Sequence, residues 1–183
     1  MMSERAQEII KIPAERVAAL IGENERIKKE VENAAGVRIK ANEEGEVMLE
    51  GDADKIYFAK DVVRAIGRGF EARVALKLLK EGYHFHIINL KEYANSENAM
   101  RRIKGRIIGE KGRIKSEIEN ASDSYISVYG HTVGVIGPVD SIDIATEAIN
   151  MIIEGAMHST VLNYLAKARK NLMLSRIRGE KHG

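Results

Sequence analysis

A chain of 183 residues with 44% apolar content can bury one ordinary core or two small ones, and having no cysteine it holds neither disulfides nor thiolate metal sites. No run of about 20 apolar residues and no charged-then-apolar leader occurs, so neither a membrane span nor a secretory signal is expected. A net charge of +2 left from 29 basic and 27 acidic residues means that any basic surface comes from local patterning.

In chain order, "EIIKIP" (Glu8 to Pro13) reads as an extended apolar segment, and Pro13 suits the first position of a helix running to Leu20. After "GENE", Ile27, Val31 and Ala34 fall at helical spacing. Val37/Ile39 and Val47/Leu49 alternate as two short strands joined by a loop from Asn42 to Gly45. A helix follows on Ile56, Ala59, Val62, Val63 and Ile66, with Asp52 at its start. Ala72 to Gly82 extends that unit as a helical connector. "YHFHIINL" is the next strand, and the polar "KEYANSENAMRR" is an inserted loop leading into a helix from Asn98 to Ile108. Beyond the turn come a helix on Ile114, Ile118 and Ala121, strands on Ile126/Val128 and Val133/Val135, and a helix on Ile142, Ala145, Ala148, Ile149 and Ile152 behind Asp140. A long terminal helix carries Val161, Leu165, Ala168 and Leu172 on one stripe, with basic residues elsewhere and fraying expected from Gly179.

These elements are two copies of one unit. Ile21-Gly22-Glu23, Arg26-Ile27-Lys28 and Glu32-Asn33-Ala34 match Ile108-Gly109-Glu110, Arg113-Ile114-Lys115 and Glu119-Asn120-Ala121 at one constant offset. After a single-residue gap, Gly51, Asp54, Ile56, Ala59, Ile66 and Gly69 match Gly137, Asp140, Ile142, Ala145, Ile152 and Gly155. Each unit reads strand, helix, glycine turn, helix, strand, strand, helix: an α+β domain with a three-stranded sheet and helices on one face. The division is expected at 1–82 and 83–183.

The second turn, "GRIIGEKGRIK", concentrates glycine and positive charge at a helix start, which suits phosphate. It is not a P-loop, because counting from Gly105 the required second glycine is Glu110. It is not a dinucleotide fingerprint either, because Gly105, Gly109 and Gly112 are wrongly spaced and the turn follows a helix. What fits is G-x-x-G between two helices, and with the surrounding order of elements this resembles a type I KH domain. That resemblance implies a clamp on about four nucleotides of single-stranded RNA. The expected RNA-binding residues are Gly105, Arg106, Ile108, Gly109, Glu110, Lys111, Gly112, Arg113, Lys115 and Ile126, and the apolar groove is assigned to Ile107, Ile108, Ile114 and Ile126, with plain core as the other reading of each. Tyr125 and Tyr129 are the stacking candidates. Arg101 to Lys115 holds seven basic residues against one acid, Glu110, a position commonly basic in KH domains. In the first copy Gly22-Glu23-Asn24-Glu25 lacks the second glycine and carries two acids, so that unit is expected to be scaffold or protein-binding surface.

Tandem type I KH units, the first with a degenerate loop and the second reading "RIKGRIIGEKGRIKSEIENAS", followed by a basic terminal helix, resemble the short archaeal form of one family. It is the small-subunit ribosomal-RNA-processing factor of the partner-of-Nob family. The resemblance implies a cytoplasmic, non-enzymatic assembly factor, without cofactor or membrane association, that binds single-stranded pre-ribosomal RNA near the 3′ end of small-subunit rRNA. It also implies two protein partners, the processing endonuclease and the α subunit of translation initiation factor two. Two other readings stay open on the residues alone: a general single-strand RNA regulator, and an adaptor in which both KH units are structural. For an enzyme, His84 and His86 would share a strand face, but no third ligand is recognisable nearby and no catalytic constellation or metal site is expected.

Overall fold

The computed structural model describes residues 4–179. The chain divides between Phe85 and His86 into two compact units.

In the first unit, β1 (Arg5–Lys11) is followed by a 3-10 turn (Ala14–Arg16) that runs into α1 (Val17–Ile21), then by α2 (Arg26–Ala35), β2 (Arg38–Ala41), β3 (Glu46–Asp52) and α3 (Ala53–Gly67). The sheet order is β1-β3-β2, antiparallel throughout, with Ile10 opposite Val47 and Ile39 opposite Leu49. Alternation on β2 and β3 puts Ile39, Val47 and Leu49 into the core, where α3 covers them with Ile56, Ala59, Val62, Val63 and Ile66. On α2 the apolar stripe continues from Val31 to Ala35, four residues on, and Ala34 faces solvent instead. The helical connector is shorter than its sequence suggests: α4 (Ala72–Ala75) and a 3-10 turn (Leu76–Leu79) bury Val74, Ala75 and Leu78, and the chain turns extended at Lys80.

The second unit's sheet starts with β4 (Tyr83–Asn89). A 3-10 turn (Leu90–Glu92) opens the inserted segment, then come α5 (Glu97–Ile108), α6 (Arg113–Ser122), β5 (Tyr125–Tyr129), β6 (Thr132–Pro138), α7 (Val139–Ile153) and α8 (His158–Gly179). The sheet order β4-β6-β5 repeats that of the first unit. Leu90, Ile107, Ile118, Val135, Ile149, Ile152 and Leu165 form one buried cluster. Removing one such side chain to alanine costs about 2–5 kcal/mol. α8 packs on α6 and α7 and buries Val161, Leu165 and Leu172, with Ala168 half-buried. Fraying is expected from Gly179, which is the last residue of α8, and the rest of that expectation falls on residues outside the described range.

The two candidate helix-start aspartates occupy different places. Asp52 is the residue preceding α3 and pairs with Lys55 at 3.0 Å, whereas Asp140 lies inside the first turn of α7, behind Pro138. Both sit where a carboxylate complements the helix dipole.

Candidate nucleic-acid interface

The turn between α5 and α6 has an unusual backbone. Gly109 stands at φ 74°, ψ 174°, Lys111 at φ 53°, ψ 28° and Gly112 at φ 77°, ψ 13°. Only glycine readily adopts the first of these combinations. A Cβ on Gly109 would also lie 2.4 Å from Ile114 Cγ1, so this glycine is fixed by strain and by packing together. Gly112 is different: a Cβ there would meet nothing within 4 Å. Its lack of a side chain leaves the approach to the start of α6 open, and no side chain caps that helix. The N–H groups of Gly112 and Arg113 are taken by the carbonyls of Gly109 and Glu110, and it is the positive end of the α6 dipole that lies open to an anion.

The cations divide into free and committed. Among the described residues the side chains of Lys111 and Arg113 are exposed and make no ion pair or hydrogen bond. Lys115 pairs with Glu119 at 3.2 Å. Arg106, expected to reach RNA, turns the other way. Its guanidinium donates to the carbonyl of Ile152 at 3.0 Å and to that of Ala156, closing the C-terminal end of α7. The first unit solves the same problem with Arg16, which donates to the matching carbonyls of Ile66 and Phe70 at 2.9 and 3.3 Å. Glu110 is exposed at the turn.

The isoleucines divide too. Ile107, Ile114 and Ile126 are 0, 5 and 4% exposed and belong to the core, so they form the bed beneath the surface, and only Ile108 keeps a half-exposed side chain. Gly105 lies on the same face of α5 with open space where a Cβ would be. Tyr125 and Tyr129 are half-buried on β5. A residue that sequence reasoning passed over ties this framework together: Glu119 on α6 accepts the backbone N–H of Ile126 on β5 at 2.8 Å. Glu32 does the same for Ile39 at 2.7 Å. The signal was in the sequence, because Glu32 and Glu119 are among the matched positions of the repeat.

The first unit keeps the turn and changes its chemistry. Gly22, Asn24 and Glu25 have φ/ψ of 73°/173°, 52°/37° and 60°/18°, the same three conformations in the same order. Glu25 stands where the second unit has Gly112, and its carboxylate pairs with Lys28 at 2.9 Å and Lys29 at 4.0 Å. The hydrogen bond from Lys28 and that ammonium's charge hold the Glu25 carboxyl below its ordinary pKa, so it stays anionic.

His84 and His86 are exposed on β4, and among the described residues no group of three or more His, Asp or Glu is placed to hold a metal. No helix among the described residues is long and apolar enough to cross a membrane.

A three-stranded sheet, helices on its face and G-x-x-G between two of them define a type I KH domain, here present twice, with the intact turn in the second copy. Comparison with known proteins agrees: a family model described as a eukaryotic type KH-domain (KH-domain type I) matches residues 84–170, and a KH domain model matches residues 7–65. A KH domain-containing protein of Methanocaldococcus jannaschii is 38% identical over 178 residues, 94% of this chain and 78% of the relative. The crystal structure of an a/eIF2alpha–aDim2p–rRNA complex from Pyrococcus horikoshii contains a chain 40% identical, with a TM-score of 0.85, covering 91% of this chain and 96% of that one. The pre-rRNA-processing protein pno1 of Aspergillus fumigatus is 33% identical over 125 residues, 66% of this chain but 49% of the relative. The chain thus spans about half the length of that fungal protein. It belongs to the family of tandem type I KH proteins that includes archaeal Dim2p and Pno1.

Proposed function

We propose that this protein is an RNA-binding assembly factor of the small ribosomal subunit, binding single-stranded pre-rRNA near the 3′ end of small-subunit rRNA through its second KH domain. The observation that carries this is the turn at Gly109 to Gly112: an uncapped helix start, open space over Gly112, and two free cations, Lys111 and Arg113. The contact set is Gly105, Ile108, Gly109, Glu110, Lys111, Gly112, Arg113 and Lys115, over a bed that includes Ile126; Arg106 serves by holding α5 to the end of α7. We place the domain boundary at 82/83, three residues before the division of the two compact units, because this keeps β4 whole in the second domain. The Pyrococcus horikoshii relative was crystallised with a/eIF2alpha and rRNA, and we carry both partners over to this chain, with the processing endonuclease as a third. The protein acts in the cytoplasm by binding, without catalysis of its own.

The experiment is binding of a fragment from the 3′ end of small-subunit rRNA and of an unrelated single strand of equal length, by wild type and by a Glu110→Asp/Lys111→Asp variant. Wild type is expected to prefer the 3′ fragment, and the variant to lose at least about tenfold in affinity, since each phosphate contact is electrostatic. Equal affinity for both strands points to a general RNA regulator. No binding of either points to an adaptor.

A further inference from the structure

The two units cover α3 and α7 differently. On the second, α8 lies over α6 and α7: Val161, Leu165 and Leu172 are buried, and Arg176 donates at 2.8 Å to Asp123, the residue that closes α6. Tyr164 sits beside the outer side of α7, where burial and then the charges of Glu147 and Asp143 hold its hydroxyl above the ordinary tyrosine pKa. On the first unit the same place is taken by α4 and the 3-10 turn behind it. By the offset that pairs Gly69 with Gly155, Ala75 stands at the place of Val161, and both are fully buried. The likeness then stops. The chain turns extended at Lys80, whereas α8 runs on from Ala166 to Gly179, about 20 Å of helix without a counterpart.

What α8 helps to cover in the second unit is bare in the first. Ala121 is 8% exposed, while its match Ala34 faces solvent. Ile144 is half-buried against the core, while its match Phe58 is 54% exposed. Tyr57, at the place of Asp143, is 69% exposed and meets the Phe58 ring edge-on, with centroids 5.3 Å apart. The face also carries charge that the fold leaves unused. Glu30 lies four residues before Ala34 on α2, and Asp54 four before Phe58 on α3, so each acid shares a side of its helix with an exposed apolar residue. Among the described residues neither carboxylate makes an ion pair or hydrogen bond, whereas Lys55 is held by Asp52 at 3.0 Å and Arg64 by Asp61 at 3.4 Å. Aromatic and small apolar residues beside unpaired acids fit a helix that presents an apolar stripe flanked by lysine or arginine. α8 is a helix of that kind, with Arg169, Lys170 and Arg176 outside its buried stripe.

We propose that the bare face of α2 and α3 docks a basic amphipathic helix of a partner protein, in the position that α8 holds on the second unit. The occupant is not this chain's own α8, whose apolar stripe is already buried on α6 and α7. Docking here is independent of RNA, because Ala34 lies at the opposite end of α2 from the turn at Gly22 to Glu25.

The test uses a synthetic peptide of residues 158–179 as the probe, since this is the helix that the same scaffold holds. It is titrated into the full chain and followed by NMR. Wild type is expected to bind it saturably, with shifts in the amides of residues 30–34 and 54–61. Phe58→Asp weakens binding at least about tenfold, as loss of an aromatic anchor does. Glu30→Gln/Asp54→Asn weakens it about threefold and flattens its salt dependence. The three substituted side chains are exposed, and unchanged binding of the 3′ rRNA fragment shows that both variants are folded. No binding at about millimolar peptide, or equal binding by wild type and both variants, overturns the proposal. Shifts confined to residues 118–121 and 141–147 also overturn it, because the peptide has then exchanged with the resident α8. Self-association of wild type that Phe58→Asp abolishes gives the face to a second copy, and loss of the rRNA fragment by folded Phe58→Asp gives it to RNA; either result overturns the proposal.

Discussion

The two glycine turns share a backbone and differ in everything laid on it. Gly22 and Gly109 agree within a degree in both torsions, and each would drive a Cβ to 2.4 Å from the isoleucine five residues on. Glu25 and Gly112 are both left-handed, yet one is an anion tied to Lys28 and the other an opening with nothing above it. The pair teaches that the first glycine of G-x-x-G is demanded by the fold and the second by access. A KH domain can lose the second, accept local strain, and keep its shape.

That separation can be broken most forcefully at the first glycine. Gly109→Ala and Gly22→Ala are each expected to cost about 2–4 kcal/mol, combining a glycine-only conformation with a clash, and chemical denaturation will read it. Next is the strap that both units share: Glu119→Ala leaves the Ile126 N–H without its acceptor and is expected to cost about 1–3 kcal/mol. Equal losses from Gly109→Ala and Gly112→Ala would erase the distinction, because Gly112→Ala is expected to cost only about 1–2 kcal/mol while weakening RNA binding strongly. Its mirror, Glu25→Gly, relieves a left-handed residue but removes an exposed ion pair. The Glu25 carboxyl has a depressed pKa in the folded state, so its favourable contribution is present at neutral pH and lost as pH falls through that lowered value. The contribution is small and screened by salt, and a thermal melt should move only slightly. Smallest is Gly105→Ala, which fills open space in a helix and is expected to stabilise by up to about 1 kcal/mol. The same methyl narrows the RNA-binding face, so binding falls as the melting temperature rises.

The order of elements and the doubling of the fold were legible because the repeat locks one register over both halves, and alternation at Val47/Leu49 and Val133/Val135 marked core strands. The glycine turn was legible as a motif. What side chains do once folded was not. Arg106 reads as one more cation in a basic run, but the C-terminal carbonyls of α7 need a donor and Arg106 is within reach. Ile107, Ile114 and Ile126 read as groove or as core, because they flank the motif yet keep helical and strand periodicity, and the fold turns them inward. The course of the inserted segment was invisible because it had no pattern of its own; its place depends on a backbone bond from Leu90 to His131, residues 41 positions apart. Likewise the sameness of the two turns could not be read from "GENE" and "GEKG", since a missing glycine suggests a different backbone.

The most direct test of the central claim is the salt dependence of binding to the 3′ rRNA fragment by three proteins: wild type, Glu110→Asp/Lys111→Asp, and Arg26→Glu/Lys29→Glu in the first unit. Wild-type affinity should fall steeply with salt, with a slope near −3 for about four phosphates on a single strand. The second-unit variant should lose both affinity and slope, and the first-unit variant should keep both. Equal losses in the two variants, or binding that survives both, would contradict the division of labour between the two KH domains.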